Sequence, residues 1–165
     1  MLKVIVTGPE SSGKTTLCEA LSKHLKVCCS KEYAREYLNE IDRNYTQEDL
    51  IKIAKKQLTS EKNTVLLDTD LITIKIWSNY KYGNCDNWIL EQIQKQQSEN
   101  RFYFLCKPDI EWDQDPLREN PKNRMELFRI YKKELESLNY NYYIVKGRNR
   151  NTDAISEISS QKFFI

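Results

Sequence analysis

Glycine and proline are scarce in this chain, four of each among 165 residues, and no repeat or low-complexity tract interrupts it. Linkers and a second domain are therefore not expected. Residues 1–165 read as one domain, long enough to bury about two-thirds of its unfolded surface. Cysteine is present but unpatterned. Cys18, Cys28, Cys29, Cys85 and Cys106 are odd in number and lack C-x-x-C spacing, so neither a disulfide framework nor a zinc site is indicated. The adjacent Cys28 and Cys29 point to opposite faces of a strand and read as small, buried thiols. No charge sign dominates. With 26 basic residues against 24 acidic ones there is no long-range field suited to nucleic acid, although small polyanions remain suitable partners. No early segment resembles a signal peptide and no apolar run approaches a membrane span, so a cytoplasmic location without a membrane partner is expected. Nothing in the sequence fixes an oligomeric state.

What is present is a phosphate-loop spacing, Gly8-Pro9-Glu10-Ser11-Ser12-Gly13-Lys14-Thr15, in its required context. Leu2 to Val6 before it reads as a strand, and Leu17, Leu21 and Leu25 after it form one apolar stripe of a helix. The glycines allow angles that turn N–H groups inward, and the helix N-terminus adds partial positive charge. Gly8, Glu10, Ser11, Ser12, Gly13, Lys14, Thr15 and Thr16 are therefore the candidate nucleotide-binding residues. Lys14 is expected to reach the β- and γ-phosphates of ATP, and Thr15 to hold Mg²⁺.

Along the rest of the chain, Val27 to Lys31 reads as a short strand that runs into Glu32-Tyr33-Ala34-Arg35. Glu32 then faces whatever Lys14 holds, because ligands bind at the carboxyl edge of open parallel sheets, and Arg35 lies one turn on along the same face. A solvated helix start with an i,i+3 ion pair fits the same spacing. Thr46 and Asp49 form a capping-box-like start to a helix that ends near Lys62. Thr64 to Asp68 is an apolar strand ending in a carboxylate, so Asp68 is the expected second holder of Mg²⁺. Asp70 is a further carboxylate at that edge. Leu71 to Gly83 reads as a helix carrying Trp77, Tyr80 and Tyr82, which serve either as a stacking surface for a flat ring or as core. Trp88 to Gln97 is a helix and Phe102 to Cys106 a strand. The irregular, charged stretch from 111 to about 125 suits a lid whose Arg118 and Arg124 could swing onto transferring phosphate, or an ordinary solvated loop. A helix from Met125 to Leu138, a strand from Tyr142 to Val145 and a helix from Asp153 to Ser160 complete the chain. Gly147 turns the chain where it could touch a base.

Strands interleaved with helices imply a doubly wound α/β domain. The motifs "TGPESSGKTTL", "KEYAREYL", "DTDLITIKIW" with "KYG", and "CKPDIEWDQDPLRENPKNR" resemble, across almost the whole chain, those of the nicotinamide riboside kinase domain of NadR-type proteins and their stand-alone, AAA-labelled relatives. The resemblance implies a three-layer P-loop NTPase fold, nucleoside-kinase-like with a lid, and a five-stranded parallel sheet ordered 2-3-1-4-5. It implies transfer of the ATP γ-phosphate to the 5′-hydroxyl of nicotinamide riboside or a similar nucleoside or vitamin. The catalytic set is then Lys14, Glu32, Asp68, Arg118 and Arg124, and the substrate side is Glu32, Tyr33, Arg35, Asp70 and Trp77. Bifunctional relatives carry an adenylyltransferase domain ahead of the kinase; here the loop strand starts at Leu2, and that activity is not expected. Lys31 stands where the family often places an aromatic residue against the pyridine ring. A GTP-dependent switch would show D-x-x-G and N-K-x-D, but Leu71 follows Asp68 at the third position and no N-K-x-D occurs. A mechanical AAA-type ATPase would need a helical lid domain, for which 165 residues leave little room. A regulatory ATP-binding module without phosphotransfer is the alternative function.

Overall fold

The computed structural model describes residues 1–161, and its framework is a parallel sheet buried on both faces. The strands are β1 (Lys3–Thr7), β2 (Cys29–Ser30), β3 (Leu66–Asp68), β4 (Arg101–Cys106) and β5 (Asn141–Val145). The helices are α1 (Lys14–Leu25), α2 (Tyr33–Glu40), α3 (Gln47–Ser60), α4 (Leu71–Tyr82), α5 (Asn87–Gln96), α6 (Arg124–Ser137) and α7 (Arg150–Ser160). The strand order is β2-β3-β1-β4-β5, all parallel, as the family resemblance implies.

Alternation along β1 decides the layers. Val4 and Val6 face a core shared with Leu17 and Leu21 of α1 and Ala154 and Ile158 of α7. Ile5 faces the opposite side, where Leu67, Tyr103 and Leu105 meet Ile72 and Ile76 of α4 and Leu127 and Tyr131 of α6. A strand covered on both faces is buried from end to end, so β4 is apolar or aromatic from Phe102 to Cys106, and its one charged residue, Arg101, is paired with Glu61, Asp70 and Glu99. A third cluster joins α3, α4 and α5 through Leu50, Ile53, Ile74, Ile89 and Ile93. This double demand makes α4 helical despite its β-branched residues: the helix is apolar on both sides because it packs on both the sheet and α3. Among the described residues no helix is long and apolar enough to cross a membrane.

Element ends follow local chemistry. α3 begins in a complete capping box: the Asp49 N–H donates to Thr46 Oγ1 (3.4 Å), and the Thr46 N–H donates to Asp49 Oδ2 (2.8 Å). α4 stops at Gly83, whose φ of 77° no side chain tolerates well. The final helix starts at Arg150, three residues before the expected Asp153, and α6 starts at Arg124. Residues 107–123 between β4 and α6 form no helix or strand.

Asp49 is almost wholly buried, and the Arg43 guanidinium, with the Tyr37 hydroxyl and the Thr46 N–H, holds its carboxyl well below the usual aspartate range. A depressed carboxyl contributes stability that is present above its unfolded value of 3.8 and is lost as pH falls below it. Asp49→Asn should lower Tm by roughly 3–8 °C at neutral pH. That deficit should shrink when thermal melts are repeated below about pH 4; a pH-independent deficit would show that the charge on Asp49 is not what stabilises the cap.

Candidate active site

The loop after β1 lies at the carboxyl edge of the central strand, and its shape follows from where its carbonyls go. Gly8 (φ 137°) passes so close to β4 that a Cβ there would stand 2.7 Å from the Cys106 carbonyl oxygen. Ser11 and Gly13 take the left-handed region at φ 51° and 84°. Four loop carbonyls find side-chain donors. Lys14 Nζ donates to the oxygens of Gly8 (3.1 Å) and Pro9 (2.9 Å), and Ser12 Oγ also donates to Pro9 (2.7 Å). Arg124 donates to Ser11 O (2.8 Å) and Arg150 to Ser12 O (2.7 Å). With these carbonyls occupied, the loop runs into the N-terminus of α1 at Lys14, a place suited to an anion.

Glu10 through Thr16 line a cavity of about 490 Å³ together with Glu32, Arg35, Leu38 and Trp77 and, from the irregular segment, Ile110, Glu111, Asp113, Leu117 and Arg118. Glu32 is half-buried at the N-terminus of α2; burial pushes its carboxyl up, against the pull of Lys14. Arg35 is exposed and pairs with Asp115 across the cavity (2.9 Å) rather than with Glu32. Asp68, at the end of β3, is buried, and burial pushes its carboxyl up against Lys14, Arg35 and the Thr15 hydroxyl. Its Oδ1 has no hydrogen-bond partner. Among the described residues no group of three or more His, Cys, Asp or Glu side chains could cage a metal ion. A buried carboxylate with a free oxygen beside a hydroxyl nevertheless fits Mg²⁺, which takes few protein ligands and completes its shell with phosphate and water.

A second cavity of about 360 Å³ shares Glu10, Leu38, Trp77 and Leu117 with the first and adds Tyr45, Tyr80, Lys81, Glu119, Asn120 and Leu127. Trp77 packs on the α3–α5 cluster, as the core reading expects, and also lines both cavities. Lys31 is exposed and lines a separate cavity beside Tyr33 and Cys28. It lines neither of the first two.

Several expected residues stand elsewhere. Asp70 is fully buried; it accepts from the Ile72 N–H (3.1 Å), Tyr103 Oη (2.7 Å) and Arg101 (3.3 Å), so it caps α4 and neutralises a buried arginine. Tyr33 turns toward Tyr37, with Lys56 over its ring, and lines neither cavity. The Gly147 N–H donates to Asp109 (2.9 Å), and the glycine lines neither cavity. Arg124 holds the loop through the carbonyls of Ser11 and Ile110 and lines neither cavity, whereas Arg118 does line the first while donating to Asp113 (2.9 Å). Arg150, absent from the sequence reading, is a central brace: it also holds Asp109 and the Lys107 carbonyl, and a Cβ on Gly13 would stand 3.0 Å from its guanidinium. Its partners are mainly backbone oxygens, which leave no trace in sequence.

The sheet order and this loop define a P-loop domain with the fold of the small-molecule kinases. The chain belongs to the AAA domain family, whose model matches residues 3–151. Among solved structures it is similar to NadR in complex with NR, at 24% identity and a TM-score of 0.76 over 96% of this chain and 51% of that one. It also resembles the deoxyadenosine kinase of M. mycoides (18% identity, TM-score 0.64, all of both chains). A third likeness is YorR from Bacillus subtilis (17%, TM-score 0.62, 98% of this chain and 95% of that one). At these identities the likeness is one of fold. The chain spans about half the length of the NadR chains it matches. No curated protein matches it.

Lys14→Ala should abolish tight Mg·ATP binding in calorimetry while leaving Tm without nucleotide within about 2 °C, because the lysine is partly exposed and its loss removes two bonds to loop carbonyls and an attraction that Glu32 and Asp68 can forgo by taking up a proton. Binding as tight as the parent's would refute the phosphate-loop reading.

Proposed function

We propose that this chain is an ATP-dependent small-molecule kinase that transfers the γ-phosphate to the 5′-hydroxyl of nicotinamide riboside or a similar nucleoside or vitamin. The observation that carries the reading is the single cavity in which the phosphate loop and Glu32 share walls, next to a second cavity bearing Tyr45, Trp77 and Tyr80. Phosphoryl transfer needs positioning more than covalent chemistry. The loop N–H groups and Lys14 hold the polyphosphate. Thr15 and Asp68 would hold Mg²⁺, which would neutralise charge on the phosphate oxygens. Glu32 orients the acceptor hydroxyl and takes its proton as the oxygen bonds to the γ-phosphorus and ADP leaves. Arg118, on the lid formed by the 111–125 stretch, borders the same space.

The aromatic cavity supports a ring-bearing acceptor, since flat rings stack on such side chains. NadR, whose fold this chain shares, has been seen with NR bound. Lys31 lies outside both cavities; the lysine that a ring in the aromatic cavity would meet is Lys81, whose Nζ lies 3.6 Å from the Tyr45 ring centroid and is paired with Glu119 (3.0 Å).

A coupled assay across a panel of ribosides and vitamins should reveal acceptor-dependent ADP release, with nicotinamide riboside the first candidate. Glu32→Gln should reduce it by about 10²- to 10⁴-fold while ATP affinity stays within a few-fold. Glu32 acts ionised and its carboxyl is raised above 4.5, so the parent should lose turnover on acidification at a higher pH than an ordinary glutamate would. The Gln variant should lack that acid limb. ADP release that no acceptor stimulates would point instead to a regulatory nucleotide-binding module; a Gln variant as active as the parent would place the base elsewhere.

A further inference from the structure

Glu10 is the third residue of the phosphate loop, yet its carboxylate reaches for the lid. Oε1 and Oε2 accept the Glu119 N–H (3.1 and 3.2 Å), and Oε2 also accepts the Asn120 N–H (2.9 Å) and lies 3.5 Å from Asn120 Nδ2. Two successive backbone N–H groups converging on one carboxylate make a small anion nest, and bonds to an ionised acceptor are the stronger kind. Ser11 adds a second tie. Its hydroxyl accepts the Asp113 N–H (2.9 Å) and donates to the Glu111 carbonyl (3.4 Å). The lid is thus attached at several positions to two adjacent loop residues. Between the Asp113 and Glu119 ties stand Leu117, which lines both cavities, and Arg118. Glu10 itself lines both cavities, so the latch sits where they meet.

We infer that Glu10 is a positioning residue: its carboxylate latches the lid to the phosphate loop and so fixes Leu117 and Arg118 over the join between the two cavities. Lid placement is thereby coupled to loop conformation through side chains, while the cradle is made of backbone. The kinetic consequence rests on the kinase reading above; the latch itself does not.

The donors are two identifiable amides, so hydrogen exchange reads the latch directly. In Glu10→Gln, which keeps the size and removes the charge, the amides of Glu119 and Asn120 should exchange roughly tenfold faster or more, with β1 and β4 unchanged. Ser11→Ala should instead speed the Asp113 amide and leave residues 119 and 120 near the parent's rates. Unchanged exchange at 119 and 120 in Glu10→Gln, or equal acceleration throughout β1 and β4, would overturn the latch. In turnover, the Gln variant should raise acceptor KM roughly tenfold and ATP KM by less; an equal rise in both would overturn lid positioning as its role. Absence of acceptor-dependent turnover in the parent would count against the kinase reading, and the exchange rates would still decide the latch.

Discussion

Every peptide unit has two polar ends, and a loop that turns its N–H groups toward a ligand must dispose of its carbonyls on the other side. In this protein that requirement organises the carboxyl edge of the sheet. The carbonyls of Gly8, Pro9, Ser11 and Ser12 are received by Lys14, the Ser12 hydroxyl, Arg124 and Arg150. Two of these donors sit at the starts of α6 and α7, so helices remote in sequence hold the loop from outside. Arg150 serves further as a junction, tying the Ser12 carbonyl to Lys107 and Asp109 beyond β4.

Within the cavity the electrostatics centre on Lys14. Glu32 and Asp68 are each driven toward the neutral form by burial, and Lys14 opposes that drive at both. The lysine therefore stabilises two carboxylates as well as any phosphate, and the site keeps negative groups near a place meant for anions without expelling them. A cation at Asp68 would supply the missing partner of its free oxygen.

Beneath the site the same chemistry has a structural purpose. Arg101 is fully buried at the start of β4 and meets Glu61, Asp70 and Glu99, while Tyr103 donates to Asp70. Burial pushes the Glu61 carboxyl up to about 7, and its Oε1 lacks a partner. Such a network costs desolvation, and its gain lies in fixing how β4, the end of α3 and the start of α4 meet. Asp70 and Asp68 are two residues apart, yet one belongs to this network and the other to the site.

The sequence by itself determined the phosphate loop, the capping-box start at Thr46 and Asp49 and nearly every element, because these depend on local spacing and on the conformational limits of single residues. The family resemblance supplied the strand order, which local periodicity leaves open. Tertiary structure alone decided which charged residues face the cavity. Glu32 and Asp70 are both carboxylates near strand ends; the first lines the cavity and the second is consumed by Arg101 and Tyr103. Arg35 and Arg150 are likewise assigned by partners that lie 80 and 138 residues away, Asp115 and the Ser12 carbonyl. Side-chain direction at a given edge is set by what packs against it from elsewhere in the chain, and that information is not carried by spacing.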